Sequence, residues 1–271
     1  MKVAAIQMVS AIAREANLAS AHRLLAQAAE AGAELAVLPE YFCTMGQRDT
    51  DKLALRESAA GGMVQGFLGD AAREFGMWIV GGTLPLESDE EDHVLNTSLA
   101  FSPEGECVAR YDKIHLFYFD NGTERYDERR VITPGMHPVV FELPSRGGHT
   151  WTVGLSVCYD LRFPELYRAL ARHGAELLLV PSAFTRTTGS AHWEALLRAR
   201  AIENLSWVVA PAQGGVHENG RHTWGHTMVV DPWGAVLAQQ DTGEGVVLCE
   251  LDAGQTERVR QQLPALSHRV L

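Results

Sequence analysis

The sequence predicts an α/β fold made of two related sheets with helices on their outer faces, and three observations predict it. Apolar, strand-like runs alternate with helix-like stretches from end to end of the chain. The two halves also echo one another. Gly32-Ala33-Glu34-Leu35 runs on to Pro39, and Gly174-Ala175-Glu176-Leu177 runs on to Pro181, an offset of 174 − 32 = 142 residues. Met77-Trp78-Ile79-Val80 is matched by Ser206-Trp207-Val208-Val209. Finally, Ser102-Pro103-Glu104-Gly105 and Asp231-Pro232-Trp233-Gly234 both carry Pro second and Gly fourth, which suits a type I turn closing a hairpin. Packed face to face, such sheets make a four-layer α-β-β-α sandwich, and residues 1–271 read as a single domain.

Each half reads as strand, helix, strand, helix, strand and hairpin. The first helix is expected over Leu18 to Glu30, with Asn17 as its N-cap and Gly32 as its stop. The apolar run Leu35-Ala36-Val37-Leu38 follows and ends at Pro39 and Glu40. Cys107 to Asp112 forms a strand that ends at Lys113. In the second half Trp151, Val153, Leu155 and Val157 alternate along a strand that ends at Cys158. A helix then runs from Pro164, tolerated in a first turn that needs no donor there, to Arg172, with Gly174 as its stop. A later helix, Ala191 to Glu203, gathers Ala195, Leu196, Ala199 and Ile202 on one apolar face. Between the halves lies a polar insert, residues 117–127, whose Asn121-Gly122 predicts a tight turn and which is a candidate lid.

Composition narrows the functional classes. The 23 Lys and Arg against 34 Asp and Glu give a net charge of −11, which argues against a nucleic-acid partner. No stretch reaches the ~18 apolar residues of a membrane span. The amino-terminal segment is broken by Gln7, Ser10, Arg14 and Glu15, unlike a signal peptide. The four cysteines (Cys43, Cys107, Cys158, Cys249) form no CxxC pair, so a disulfide framework or structural zinc site is not expected and a cytoplasmic location is. Cys107 and Cys249 sit in apolar runs and read as core.

Ligands of α/β sheets sit beyond the carboxyl ends of strands, where Glu40, Lys113 and Cys158 all stand. A nucleophilic cysteine must become a thiolate and so needs a base. No histidine lies in the Cys158 turn, but a carboxylate can take the proton beside a cation, and a lysine can steady an oxyanion. Singly, each residue has a plainer reading: the cysteine as core filler, the charges as solvated loop groups.

Their contexts, LPEYF, YDKIHLF and GLSVCYDLRFPEL, occur in the order in which the nitrilase superfamily of carbon–nitrogen hydrolases carries its three motifs, and the chain resembles that family. The resemblance continues through AHWEALLRARAIEN (191–204) and WGHTMVVDPWGAVLA (224–238). It implies the α-β-β-α sandwich, a homodimer joined through helices beside the cysteine, a small-molecule amide substrate, and no cofactor or metal. It assigns Glu40 as general base, Lys113 as oxyanion-stabilising cation and Cys158 as nucleophile. Glu128, in Tyr126-Asp127-Glu128, matches the family's second glutamate, although Glu124 lies in the same insert. The Tyr159 amide is then placed to share the oxyanion.

Tyr159-Asp160 stands where true nitrilases carry Trp-Glu, and CYDLRFPEL resembles the branch of the deaminated-glutathione amidases and omega-amidases. Those enzymes cut amides of small carboxylic acids, which implies release of ammonia through a thioester. Pro181-Ser182-Ala183-Phe184 leans toward the first, leaving an omega-amidase acting on 2-oxoglutaramate or 2-oxosuccinamate as the alternative. Ala183 and Phe184 are expected at the substrate. Arg162 pairs either with a substrate carboxylate or with Asp160 or a helix carboxylate. Two readings of other classes remain: a zinc hydrolase using His217, His222 and His226, and a non-catalytic binding protein on the same fold.

Overall fold

A computed structural model describes residues 1–270 of the 271. The first half comprises β1 (Lys2–Gln7), α1 (Arg14–Glu30), β2 (Leu35–Val37), α2 (Asp51–Leu55), α3 (Met63–Phe75), β3 (Trp78–Val80), β4 (Leu84–Glu87), β5 (Val94–Phe101) and β6 (Cys107–Asp112). The insert folds as a small hairpin of β7 (Tyr118–Asp120) and β8 (Arg125–Asp127). Gly122, at φ +85°, makes the expected tight turn. The second half follows as β9 (Val139–Pro144), β10 (Thr150–Leu155), α4 (Pro164–Arg172), β11 (Leu177–Leu179), α5 (Arg186–Asn204), β12 (Trp207–Ala210), β13 (Thr227–Val230) and β14 (Val236–Gln240). β15 (Gly245–Glu250) and α6 (Ala253–Gln262) end it.

Each half builds one sheet on the same plan. β1, β2 and β3 run parallel, as do β10, β11 and β12, and antiparallel β5 and β13 then flank β3 and β12. The hairpin turns fall as expected: Gly105 N–H donates to Ser102 O (2.8 Å) and Gly234 N–H to Asp231 O (2.9 Å). One strand is exchanged: β15 follows the second half but pairs with β1, Lys2 opposite Glu250, whereas β9 pairs with its neighbour β10.

Side-chain alternation makes the layers. Val3 and Ala5 of β1 and Val37 of β2 pack in one cluster with Trp151, Val153 and Leu155 of β10, so the sheets meet face to face. Ala4 and Ile6 point the other way, onto Leu24 and Leu25 of α1 and Leu68 of α3. Leu166 and Leu170 of α4 and Leu197 of α5 cover the second sheet. The result is the four-layer α-β-β-α sandwich.

Three local expectations are corrected. The first helix starts at Arg14, one turn early, with Ala13 rather than Asn17 as its cap. Asn17 instead lies inside the helix with its side chain buried. It donates to Ala11 O (2.9 Å) and Cys43 O (3.1 Å) and accepts from Ala11 N–H (2.6 Å), tying the preceding loop down. The later helix starts at Arg186, where Thr185 Oγ1 accepts from Thr188 N–H (3.2 Å) as a true N-cap. Its buried face is Trp193, Leu197, Arg200, Ala201 and Asn204, while Ala195 and Ile202 are exposed. Arg200 can turn inward because its Nε and Nη2 donate to Leu161 O (3.0 and 2.8 Å). Cys107 is exposed because it lies on an edge strand, whereas Cys249, though half-buried, packs against the core. None of the described helices is long and apolar enough to cross a membrane.

Candidate active site

Three strand ends converge. Past β2, Leu38 N–H donates to Val80 O (2.9 Å), and Glu40 follows, its carbonyl accepting from Gln213 Nε2 (3.0 Å) of the other half. Past β6, Lys113 N–H donates to Asn96 O (3.0 Å) and Lys113 O accepts from Gly135 N–H (2.8 Å). Only glycine fits at 135, because a β-carbon there would lie 2.0 Å from Asp112 O. Past β10, Cys158 N–H donates to Pro181 O (3.0 Å) and the chain turns into a short 3-10 segment, Cys158–Arg162. Cys158 (φ +49°) and Tyr41 (φ +58°) both hold left-handed backbone that non-glycine residues avoid, so the fold spends conformational strain at this spot.

Asp160 holds the Cys158 turn against the Lys113 strand. Fully buried, it accepts from Val157 N–H (2.8 Å), Tyr111 OH (2.7 Å) and His115 N–H (3.0 Å), and lies 2.7 Å from His115 Nδ1. It is therefore not the partner of Arg162. Arg162 reaches only His192 Nδ1 (3.2 Å) and the rings of Tyr159 and Phe184, with no carboxylate on it among the described residues.

Lys113 Nζ sits between two carboxylates, 2.9 Å from Glu40 Oε1 and 2.9 and 2.8 Å from the two oxygens of Glu128. Asn96 Nδ2 also donates to Glu40 Oε1 (3.0 Å), so both donors fall on one oxygen and Oε2 accepts from no protein group among the described residues. Glu128 is saturated: Tyr41 OH donates to Oε1 (2.6 Å) and Phe117 N–H to Oε2 (2.7 Å), besides Lys113. Glu124 lies elsewhere, accepting from Thr187 Oγ1 (2.7 Å).

The charges follow from this packing. Burial works to lower the Lys113 pKa, but Glu128 and Glu40 outweigh it and hold the ammonium firmly charged. Burial works to raise Glu128, and Lys113 with its hydrogen bonds more than reverses that, leaving it below the usual carboxylate range. Burial and the Glu40 charge push the Cys158 thiol well above its ordinary value, against the pull of Lys113 and the Ala183 amide. The resting sulfur is a neutral thiol. Around it a narrow cavity of about 10 Å³ is lined by Glu40, Glu128, Cys158, Tyr159, Arg162, Ala183 and Phe184, together with Phe117, Thr185, Thr188 and Arg221.

The histidines of the zinc reading are not assembled. His217 Nδ1 lies 2.9 Å from Ser10 O and Nε2 2.8 Å from Thr223 Oγ1, so neither nitrogen is left for a metal. His226 stacks on Trp224, with ring centroids 4.0 Å apart, and its Nδ1 lies 2.9 Å from Trp224 O.

The family model for carbon–nitrogen hydrolases matches residues 2–261. The chain is a carbon–nitrogen hydrolase. It is 42% identical to a Synechocystis protein named deaminated glutathione amidase, over 98% of this chain and 97% of that one. The human protein of that name is 39% identical, over 98% of this chain and 81% of its own length. A Saccharomyces cerevisiae structure described as a member of branch 10 of the nitrilase superfamily covers all of this hydrolase and 97% of that chain, at 30% identity and TM-score 0.87. This hydrolase is accordingly an amidase of the nitrilase superfamily, which sets aside the zinc and binding-protein readings.

Sequence reasoning missed Asn96, Tyr41, Phe117, Thr185, Thr188 and Arg221. Asn96 had a signal, the polar triplet Asn96-Thr97-Ser98 inside β5, and Tyr41 stood next to Glu40. Arg221 lies in a loop that drew notice for its histidines.

Proposed function

We propose that the chain hydrolyses the amide of a small 2-oxo acid, deaminated glutathione before others, through a thioester on Cys158. The observation that carries this reading is the unoccupied Oε2 of Glu40 in a cavity shared with a neutral thiol and a charged lysine. Glu40 takes the thiol proton as sulfur attacks the carbonyl carbon, and Lys113 Nζ with the Tyr159 N–H holds the oxyanion. Collapse breaks the C–N bond while Glu40 returns its proton to the departing amine. Water, deprotonated by Glu40, then attacks the thioester, and the thiol recovers the proton as the acid leaves. Glu128, with every acceptor position used, serves by fixing Lys113.

The substrate class rests on the names of the relatives and on Arg162, a guanidinium at the cavity with no acidic partner of its own. From deaminated glutathione the departing amine is cysteinylglycine, whereas 2-oxoglutaramate, a primary amide, releases ammonia. The assay is therefore release of 2-oxoglutarate from both substrates, with ammonia release from N-carbamoyl-β-alanine and a simple nitrile as comparisons. Faster turnover of deaminated glutathione is expected. The opposite preference would move the protein to the omega-amidases. Cys158→Ala is expected to lose on the order of 10⁴-fold in kcat, and wild-type turnover in that variant would end the proposed mechanism.

Two further readings belong here. Dimerisation through the outer face of α5 is supported by the exposed Ile202 and by Trp233, in the turn packed on it. A cytoplasmic location is supported by four cysteines that are all unpaired.

A further inference from the structure

We propose that Arg221 binds a carboxylate on the amine side of the scissile bond, so that the site selects amides whose departing amine carries an anionic tail. The inference rests on the amidase reading of Cys158 and deepens it.

Arg221 is the second guanidinium lining the catalytic cavity, and it shares no neighbour with the first. Arg162 lies against Tyr159, Phe184 and His192, whereas Arg221 lies over the Tyr126 ring (5.0 Å) with Nη1 4.0 Å from Met45 Sδ. No carboxylate pairs with Arg221 among the described residues, and its Nε is buried without any hydrogen-bond partner. A buried donor left unmade is costly in a folded protein, and a ligand oxygen is the natural acceptor for an unpaired guanidinium that lines a cavity.

Arg221 also lines a second, outer recess, together with Arg48, Arg125, Met45, Tyr126 and Asn219. It thus stands where the catalytic cavity and the recess meet. The recess carries three arginines, and its one acid, Asp49, lies 3.6 Å from the ammonium of Lys52. A substrate whose acyl carboxylate faces Arg162 would send its amine portion past Arg221 toward this basic surface.

The loop is built to hold that position. Val216 and His222 pair across a tight antiparallel bridge, with Gly220 at φ +82°. His217 anchors it through Ser10 and Thr223, Asn219 Nδ2 donates to Gly46 O (2.6 Å), and Glu218 Oε2 accepts from Ile12 N–H (2.8 Å). The histidine-rich segment is a mount for an arginine rather than a metal site.

The test compares two 2-oxoglutaryl amides that differ only in the tail of the leaving amine, cysteinylglycine and cysteinylglycinamide. Wild type is expected to prefer the carboxylate tail by about 10- to 100-fold in kcat/KM, the range of one charge-assisted contact. In Arg221→Met that ratio should fall toward one, mainly through KM for the carboxylate substrate, and Arg221→Lys should retain part of it. Both rates come from one preparation, so partial misfolding cancels from the ratio. A wild-type ratio near one, or an unchanged ratio in Arg221→Met, would overturn the proposal. No turnover of either compound, nor of 2-oxoglutaramate, would overturn the 2-oxo acid reading and this proposal with it.

Discussion

Lys113 is fully buried between Glu40 and Glu128, and the two carboxylates divide the work by their hydrogen bonds rather than by their residue type. Glu128 has no acceptor position to spare, so its charge holds the lysine. Its folded pKa is depressed, so the stability it contributes is present above the ordinary carboxylate value of about 4.3 and is lost as pH falls through the folded value. Glu128→Gln keeps the shape and removes the charge. It should cost on the order of 3 kcal/mol at pH 7, the low end for a broken buried pair because Lys113 keeps Glu40. Urea midpoints should show the gap to wild type narrowing at pH 4 and below. A gap of constant size would mean that the charge of Glu128 is not what holds the site. At this scale the residues with strand-end positions, Glu40, Lys113 and Cys158, were legible in the sequence. Asn96 and Arg221 were not, because each acts through groups far away in the chain: Asn96 through Glu40, and Arg221 through a cavity formed by both halves.

Strands set the site only because the turns after them are tied together, and Asp160 is the tie between β6 and the turn after β10. Asp160→Ala would leave Val157 N–H, Tyr111 OH and His115 N–H without their acceptor. With ~1–3 kcal/mol for each buried group left unpaired, a loss of about 3 kcal/mol or more is expected in thermal or urea unfolding. Because the tie aligns Lys113 with Cys158, kcat should fall with it. A variant of normal stability and normal kcat would show that the turn holds itself. Element boundaries were legible where glycine and proline punctuate the chain, as at Pro164 and Gly174. They failed where a polar side chain had a tertiary partner. Asn17 looks like a cap but spends its amide on Ala11 and Cys43, and Arg200 looks like a surface residue but spends its guanidinium on Leu161 O. A helical wheel sees the apolar side chains and not these partners, so it rotated the buried face of α5, leaving Ala195 and Ile202 in solvent while Leu196 still packs on the core.

The duplication was legible because turns repeat in sequence, whereas the exchange of β15 was not, since pairing Lys2 with Glu250 leaves no local signal. That exchange joins the two halves across the sandwich and makes the cavity a property of the whole chain. The same scale governs assembly. The outer face of α5 carries Ala195 and Ile202 to solvent, Ile202 at 46% exposure, and the turn after β13 adds Trp233 at 60%. That turn lies against Ile202, for a β-carbon at Gly234 would lie 2.6 Å from Ile202 Cδ1. The proposed homodimer would bury them. Ile202→Glu places a charge at the centre of that patch without touching the buried face of the helix, so the monomer fold should survive. Light scattering after size exclusion should then report a dimer for wild type and a monomer, or a dimer weakened at least tenfold in Kd, for the variant. Because α5 also carries Thr188 of the cavity wall, and Thr185 caps it, loss of the dimer should lower activity as well as mass. A variant that stays fully dimeric would move the interface to another face of the sandwich.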